Sequence, residues 1–179
     1  MKLNDLYDYS KAVSYYANNK ENNVLSNEGV GHAIVVFENI FRTAENKVSI
    51  YAKNIFAPNN EVTCSASYIG EVRNFLNKPN TSLQILLQEY DEETSYNVLR
   101  DELKKYQDKV TVKVNREKKV KVAGDDVHFC IADGRMYRME YNTEGRKARC
   151  NFNDPDAVTK FQGVFTRLSN DEKTREVQL

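Results

Sequence analysis

Apolar residues recur at helical spacing in five segments of this chain and alternate, or run continuously, in six others. Residues 28–44 show the helical pattern best, with Val30, Ala33, Ile34, Phe37, Ile40, Phe41 and Ala44 at i, i+3, i+4 spacing. The same spacing predicts helices over residues 1–18, from Ser65 or Ser67 to Asn77, over 92–107 and over 155–168. Asp154, Pro155 and Asp156 open the last of these with a cap, a proline at the first helical position and an acid that suits the helix dipole. Residues 47–55 (KVSIYAKNI) and 82–88 (SLQILLQ) read as strands, the second of them a continuous apolar run of the buried type. Further strands are expected at 110–114, 127–132, 136–141 and 147–152, with Asp133-Gly134 turning the fourth into the fifth as a hairpin.

Strand–helix–strand–helix–strand followed by a hairpin, another strand and a closing helix implies an α/β fold with a mixed β-sheet sandwiched by helices. The early strands should be parallel and the hairpin should add antiparallel ones. Residues 1–27 read as an N-terminal helical arm, ending in the polar interruption NNKENNVLSN. Residues 28–168 form the domain, and residues 169–179 are expected to be a flexible charged tail.

Composition narrows the class without deciding it. The chain has 179 residues, enough for one domain with a real core, and 40% are hydrophobic and 29% charged, as in a soluble globular protein. Lys plus Arg and Asp plus Glu each number 26, so the net charge is zero and any electrostatic partner must be drawn by local patches. The longest apolar run, residues 33–37, is far below the roughly 20 residues of a membrane helix, and the first ten residues lack a signal-peptide core. A cytoplasmic protein with no membrane association is expected. Cys64, Cys130 and Cys150 are odd in number and lack metal-ligand spacing, which implies reduced thiols, no metal and no cofactor.

The wording VSIYAKNIF, SYIGEVRNFLNKPNTSLQILLQE, HFCIADGRMYRME and CNFNDPDAVTKFQGVFTRL, taken with the element order, resembles a single phospholipase D-like domain over residues 28–168. That family's signature is His-x-Lys, then four residues and Asp, with a small-residue and Asn segment downstream. Two copies act together, from two halves of one chain or from a homodimer. One His attacks phosphorus, the other protonates the leaving oxygen, and lysines and asparagines hold the phosphate. The resemblance makes His128 the signature histidine and Asn151 or Asn153 the later asparagine. Cys130 stands where the lysine is expected, and Asp133 follows His128 by five residues rather than seven. The implied protein is a degenerate member, one that lacks the preorganised positive charge on which phosphate chemistry depends. The resemblance further implies a bacterial setting, including defence and mobile-element contexts.

Two basic clusters offer another chemistry. Lys113, Arg116, Lys118, Lys119 and Lys121 against Glu117 give a local +4; Arg135, Arg138, Arg146, Lys147 and Arg149 against Glu140 and Glu144 give +3. On one side of the sheet they would form a phosphate-binding groove, with Tyr137 and Tyr141 available for stacking on bases. On a strand, Arg138 and Glu140 share a face and read equally well as an ion pair. Residues 89–102 carry six acids against Arg100, a local −5. His32 beside Gly31 reads as a surface or capping residue, and Cys130 in an apolar strand as an unreactive thiol. Three functions follow from these features. The first is a non-catalytic interaction or regulatory module, homodimeric and with a protein partner. The second is a metal-independent nuclease using paired His128 residues. The third is a nucleic-acid binder without catalysis.

Overall fold

The computed structural model describes residues 6–179; the first five residues of the predicted N-terminal helix lie outside it. In chain order the elements are α1 (Leu6–Asn18), β1 (Leu25–Glu28), α2 (Gly29–Thr43), β2 (Lys47–Ala52), α3 (Ala66–Asn77), β3 (Ser82–Leu87), α4 (Val98–Leu103), β4 (Val110–Val114), β5 (Lys121–Val122), β6 (Asp125–Asp126), β7 (His128–Ala132), β8 (Met136–Asn142), β9 (Lys147–Asn151), α5 (Pro155–Ser169) and β10 (Arg175–Val177). Eight strands form one sheet in the order β1-β9-β8-β7-β2-β3-β4-β10, while β5 and β6 make a separate small hairpin. The trio β2, β3 and β4 is parallel, and the remaining pairings in the large sheet are antiparallel. This is the α/β mixed sheet expected from the order of patterned segments.

Alternation along the strands divides the core in two. Val48 and Ile50, Leu83 and Ile85, Val112, Cys130, Met136 and Cys150 face the layer of α2, α3 and α4. Tyr51, Leu86, Phe129, Ile131 and Tyr137 face α5, meeting its Val158, Phe165 and Leu168. Phe41 stands edge-on to both Tyr68 and Phe75, which fixes α2 against α3.

Several elements take a form the pattern did not specify. The N-terminal arm packs on its own domain: α1 buries Tyr9, Val13 and Ala17 in the main core, and β1, inside the polar stretch, pairs with β9. The end of the chain is not a free tail, because β10 pairs with β4. Helix α4 is far shorter than residues 92–107, since Asn97 caps it and residues 88–97 form a loop. The small β5–β6 hairpin has no apolar pattern that would have announced it.

The hairpin between β7 and β8 sets the geometry of the site. Asp133 and Gly134 both have positive φ (51° and 69°), which the Asp-Gly pair accommodates. Ala132 pairs with Met136, so three residues rather than two make the connection. The Asp133 carboxylate accepts the backbone N–H groups of Glu45, Asn46 and Lys47 at 2.7, 3.0 and 2.9 Å, tying the hairpin to the start of β2. Asp133→Ala leaves those donors without their acceptor and forces alanine into the left-handed region. A stability loss of about 1.5 kcal/mol is expected in urea unfolding.

Candidate functional site

Where β2 ends and β7 begins, the sheet opens into a cleft of about 540 Å³. Its walls are the start of α2 (Gly29, Val30, Ala33), Phe37 and Tyr68, and the loop after β2 from Lys53 to Thr63. His128, Arg138 and Glu140 line it from the sheet. Gly29 has φ +80°, a backbone position that suits glycine and brings α2 against the cleft. The loop wall is held from behind. Asn97 Nδ2 donates to the Ile55 carbonyl at 2.9 Å, and Thr63 Oγ1 donates to the same carbonyl at 2.7 Å.

Cross-strand register explains why three polar side chains meet here. His128 is opposite Glu140, and Cys130 is opposite Arg138, so all four share one face of the sheet. His128 Nδ1 lies 3.1 Å from Glu140 Oε2, and Arg138 Nη2 donates to Glu140 Oε1 at 3.3 Å. Arg138 Nε donates to the buried Oδ1 of Asn27 at 3.2 Å, and the guanidinium lies 5.1 Å above the Phe37 ring. Arg138 is only 5% exposed. Burial pushes the Glu140 carboxyl up, but the His128 hydrogen bond and the Arg138 charge outweigh it and hold the group below its ordinary value. Burial, opposed by the Arg138 charge, pushes the thiols of Cys130 and Cys150 up to about 12 and so disfavours the thiolate.

The position of the expected lysine is therefore not without a cation. The residue at Cys130 supplies none, but its cross-strand neighbour does. What differs is the compensation: Glu140 binds the guanidinium with one oxygen and the imidazole with the other.

The asparagines that resemblance suggested lie elsewhere. Asn151 is opposite Tyr137, on the α5 side of the sheet, and its Nδ2 donates to Asn22 Oδ1 at 2.8 Å. Its Oδ1 accepts the backbone N–H of Asn153, and neither asparagine lines the cleft. Asn54, Asn59 and Asn60 of the loop line the cleft, and Asn27, from the stretch that read as a polar interruption, holds Arg138 by its side chain. Its signal lay in the strand pairing of β1 with β9 and not in any motif. Asp133, as shown above, ties the hairpin to β2. His32 takes the capping place expected of it, its Nδ1 accepting the Glu28 N–H at 3.4 Å while its ring stacks on Tyr9 at 4.0 Å.

Most cations of the two basic clusters are used within the protein. Lys118 pairs with Asp171, Lys119 with Glu89 and Asp126, and Lys121 with Asp126. Lys113 donates to the Ser169 carbonyl, Arg116 to Tyr90, and Arg135 to Phe152 and Thr43. Arg146 pairs with Glu61 at 2.8 Å, Arg149 lies over the Tyr141 ring, and Lys147 stands opposite Glu28 in register. Among the described residues no cluster of three His, Cys, Asp or Glu side chains could hold a metal ion, and no helix is long and apolar enough to cross a membrane.

No family model matches this chain, and no curated protein matches it in sequence. Solved structures do. It is similar to Nuc from Salmonella typhimurium, a phospholipase D family member, at TM-score 0.59 and 12% identity over 89% of this chain and 100% of that one. TrmBL2, an archaeal chromatin protein with a novel mode of DNA binding, gives TM-score 0.61 and 14% identity, over 96% of this chain and 61% of that one. Phosphatidylserine synthase from Haemophilus influenzae Rd KW20 gives TM-score 0.52 and 13% identity, over 86% of this chain and 39% of that one. At such identities the likeness establishes the fold and leaves the function to the site.

Proposed function

We propose that this chain, a phospholipase D-like domain by its fold, is a non-hydrolytic binding module that recognises its ligand or partner through the cleft at His128 and works as a homodimer. One observation carries the reading: the cation next to the histidine is already neutralised. Arg138 is buried, held by Asn27 and Glu140, and Glu140 also holds the imidazole. A phosphodiester entering the cleft meets a carboxylate where a hydrolase needs unbalanced positive charge. The homodimer belongs to the reading because the resemblance pairs two such domains.

A second reading draws on the same contacts. Glu140 on Nδ1 leaves Nε2 of His128 without a partner among the described residues, the orientation a nucleophilic imidazole requires, and a dimer would supply the second histidine. Cleavage assays separate the two. At high protein concentration and in EDTA, single-stranded DNA, RNA and bis(p-nitrophenyl) phosphate are expected to remain intact. Cleavage that disappears in His128→Ala would overturn the binding-module reading in favour of the nuclease. A sedimentation mass of one chain would remove the dimer from it.

A further inference from the structure

The charged side chains that line the cleft are matched in number and paired in space. Lys53, Arg138 and Arg146 face Glu89, Glu140 and Glu61, at 3.6, 3.3 and 2.8 Å respectively. The two pairs at the mouth are exposed and exert little force. In the third pair Arg138 is buried and Glu140 partly so, and its charge balance governs what the floor of the cleft accepts.

That floor still has hydrogen-bonding capacity. Arg138 uses Nε on Asn27 and Nη2 on Glu140, while among the described residues Nη1 has no hydrogen-bond partner and is not shut away from solvent. His128 Nε2 is likewise without a partner among the described residues. Ala33, Phe37, Ile55, Val62 and Tyr68 give the cleft an apolar portion, beside the polar Asn54, Asn59, Asn60 and Thr63 of the loop. Donors are on offer, but no net positive charge comes with them.

We infer that Glu140 is the specificity-determining residue of this cleft: it directs Arg138 to a small, formally uncharged ligand that presents acceptor oxygens and an apolar body, and it turns free anions away. The inference rests on the binding-module reading. It also explains why a scaffold that keeps a histidine and a cation on one carboxylate need not capture phosphate. An anion would stand against Glu140, and like charges brought face to face disfavour binding. A neutral phosphate ester offers the same oxygens without the charge.

Two probes that share a tetrahedral phosphoryl group and differ in charge test this: trimethyl phosphate and inorganic phosphate. Binding is followed by shifts of the Arg138 side-chain N–H signals in NMR, at fixed pH and matched ionic strength. Wild-type protein should prefer the neutral ester by about tenfold or more. In Glu140→Gln the preference should reverse, and phosphate, but not chloride, should raise the melting temperature by shielding the uncompensated guanidinium. Adding Arg138→Met to that variant should abolish phosphate binding. Wild-type protein that takes phosphate as tightly as the ester sinks the inference, and that measurement does not depend on any variant folding. A Glu140→Gln protein that folds and gains no phosphate affinity sinks it as well. Phosphodiester turnover by the wild type would defeat the binding-module reading itself; phosphate binding without turnover defeats only the role of Glu140.

Discussion

Arg138→Met is expected to lower the free energy of unfolding by about 3–5 kcal/mol, the largest effect of any single change considered for this protein. The guanidinium is almost wholly buried, and its removal leaves the Glu140 carboxylate in the same low-dielectric place with His128 as its remaining side-chain partner. Asn27 loses the donor to its Oδ1, on a side chain whose Nδ2 is already unpartnered, so a second buried polar group suffers. The pH dependence should also weaken. In the wild type Glu140 is held below its ordinary value, so its contribution is present near neutrality and fades as the pH falls through that lowered value. Without Arg138 the His128 hydrogen bond alone opposes burial, so the carboxyl moves up and less stability remains to be lost in acid. The double variant Arg138→Met, Glu140→Met should recover much of the loss, because a hydrophobic pair can replace a buried ion pair at little cost. Urea unfolding of the three proteins at two pH values checks this. A single-variant loss under about 1 kcal/mol, or a double variant less stable than the single, contradicts the buried pairing.

How much of this site could be read from the chain turns on one residue of register. The strands on either side of Asp133-Gly134 were legible, because β-branched and aromatic residues alternate up to a strong turn signal. Their pairing was not. A two-residue connection would set His128 opposite Met139, while the three-residue connection observed sets it opposite Glu140. A slip of that size exchanges the two faces of a strand, and with them the partners of the histidine. The reading of Arg138 and Glu140 as an ion pair on one face needed only the period of the strand, and it holds. The place of Asn27 could not be foreseen. Its strand is four residues of ordinary polar sequence at the sheet edge, recruited by pairing with β9. Edge strands β1 and β10 escape pattern reading for a common reason: they bury too little side chain to require an apolar alternation.

The second large effect is a loss of stability in acid centred on Glu102. This carboxylate lies on α4, only 5% exposed, and accepts both Nε and Nη2 of Arg73 on α3 at 2.7 and 3.0 Å, with Lys105 Nζ at 2.7 Å. The hydrogen bonds from Arg73 pull its pKa from 4.5 down to about 2; burial opposes them and Lys105 assists. A lowered folded value means that the stabilisation is complete above about pH 5 and disappears as the pH falls toward 2. About 1.4 kcal/mol accompanies each tenfold change in proton affinity, which sets a ceiling near 3 kcal/mol. Arg73 and Lys105 face solvent, so screening should reduce the realised figure to about 2 kcal/mol. The consequence reaches the cleft, because α4 begins at Asn97, whose side chain secures the Ile55 carbonyl in the cleft's loop wall. Urea unfolding of the wild type and Glu102→Gln from pH 7 to pH 2 should show two curves about 2 kcal/mol apart at neutrality that converge in acid. Curves that run parallel across that range would mean that Glu102 does not clamp α3 to α4 in the way its hydrogen bonds imply.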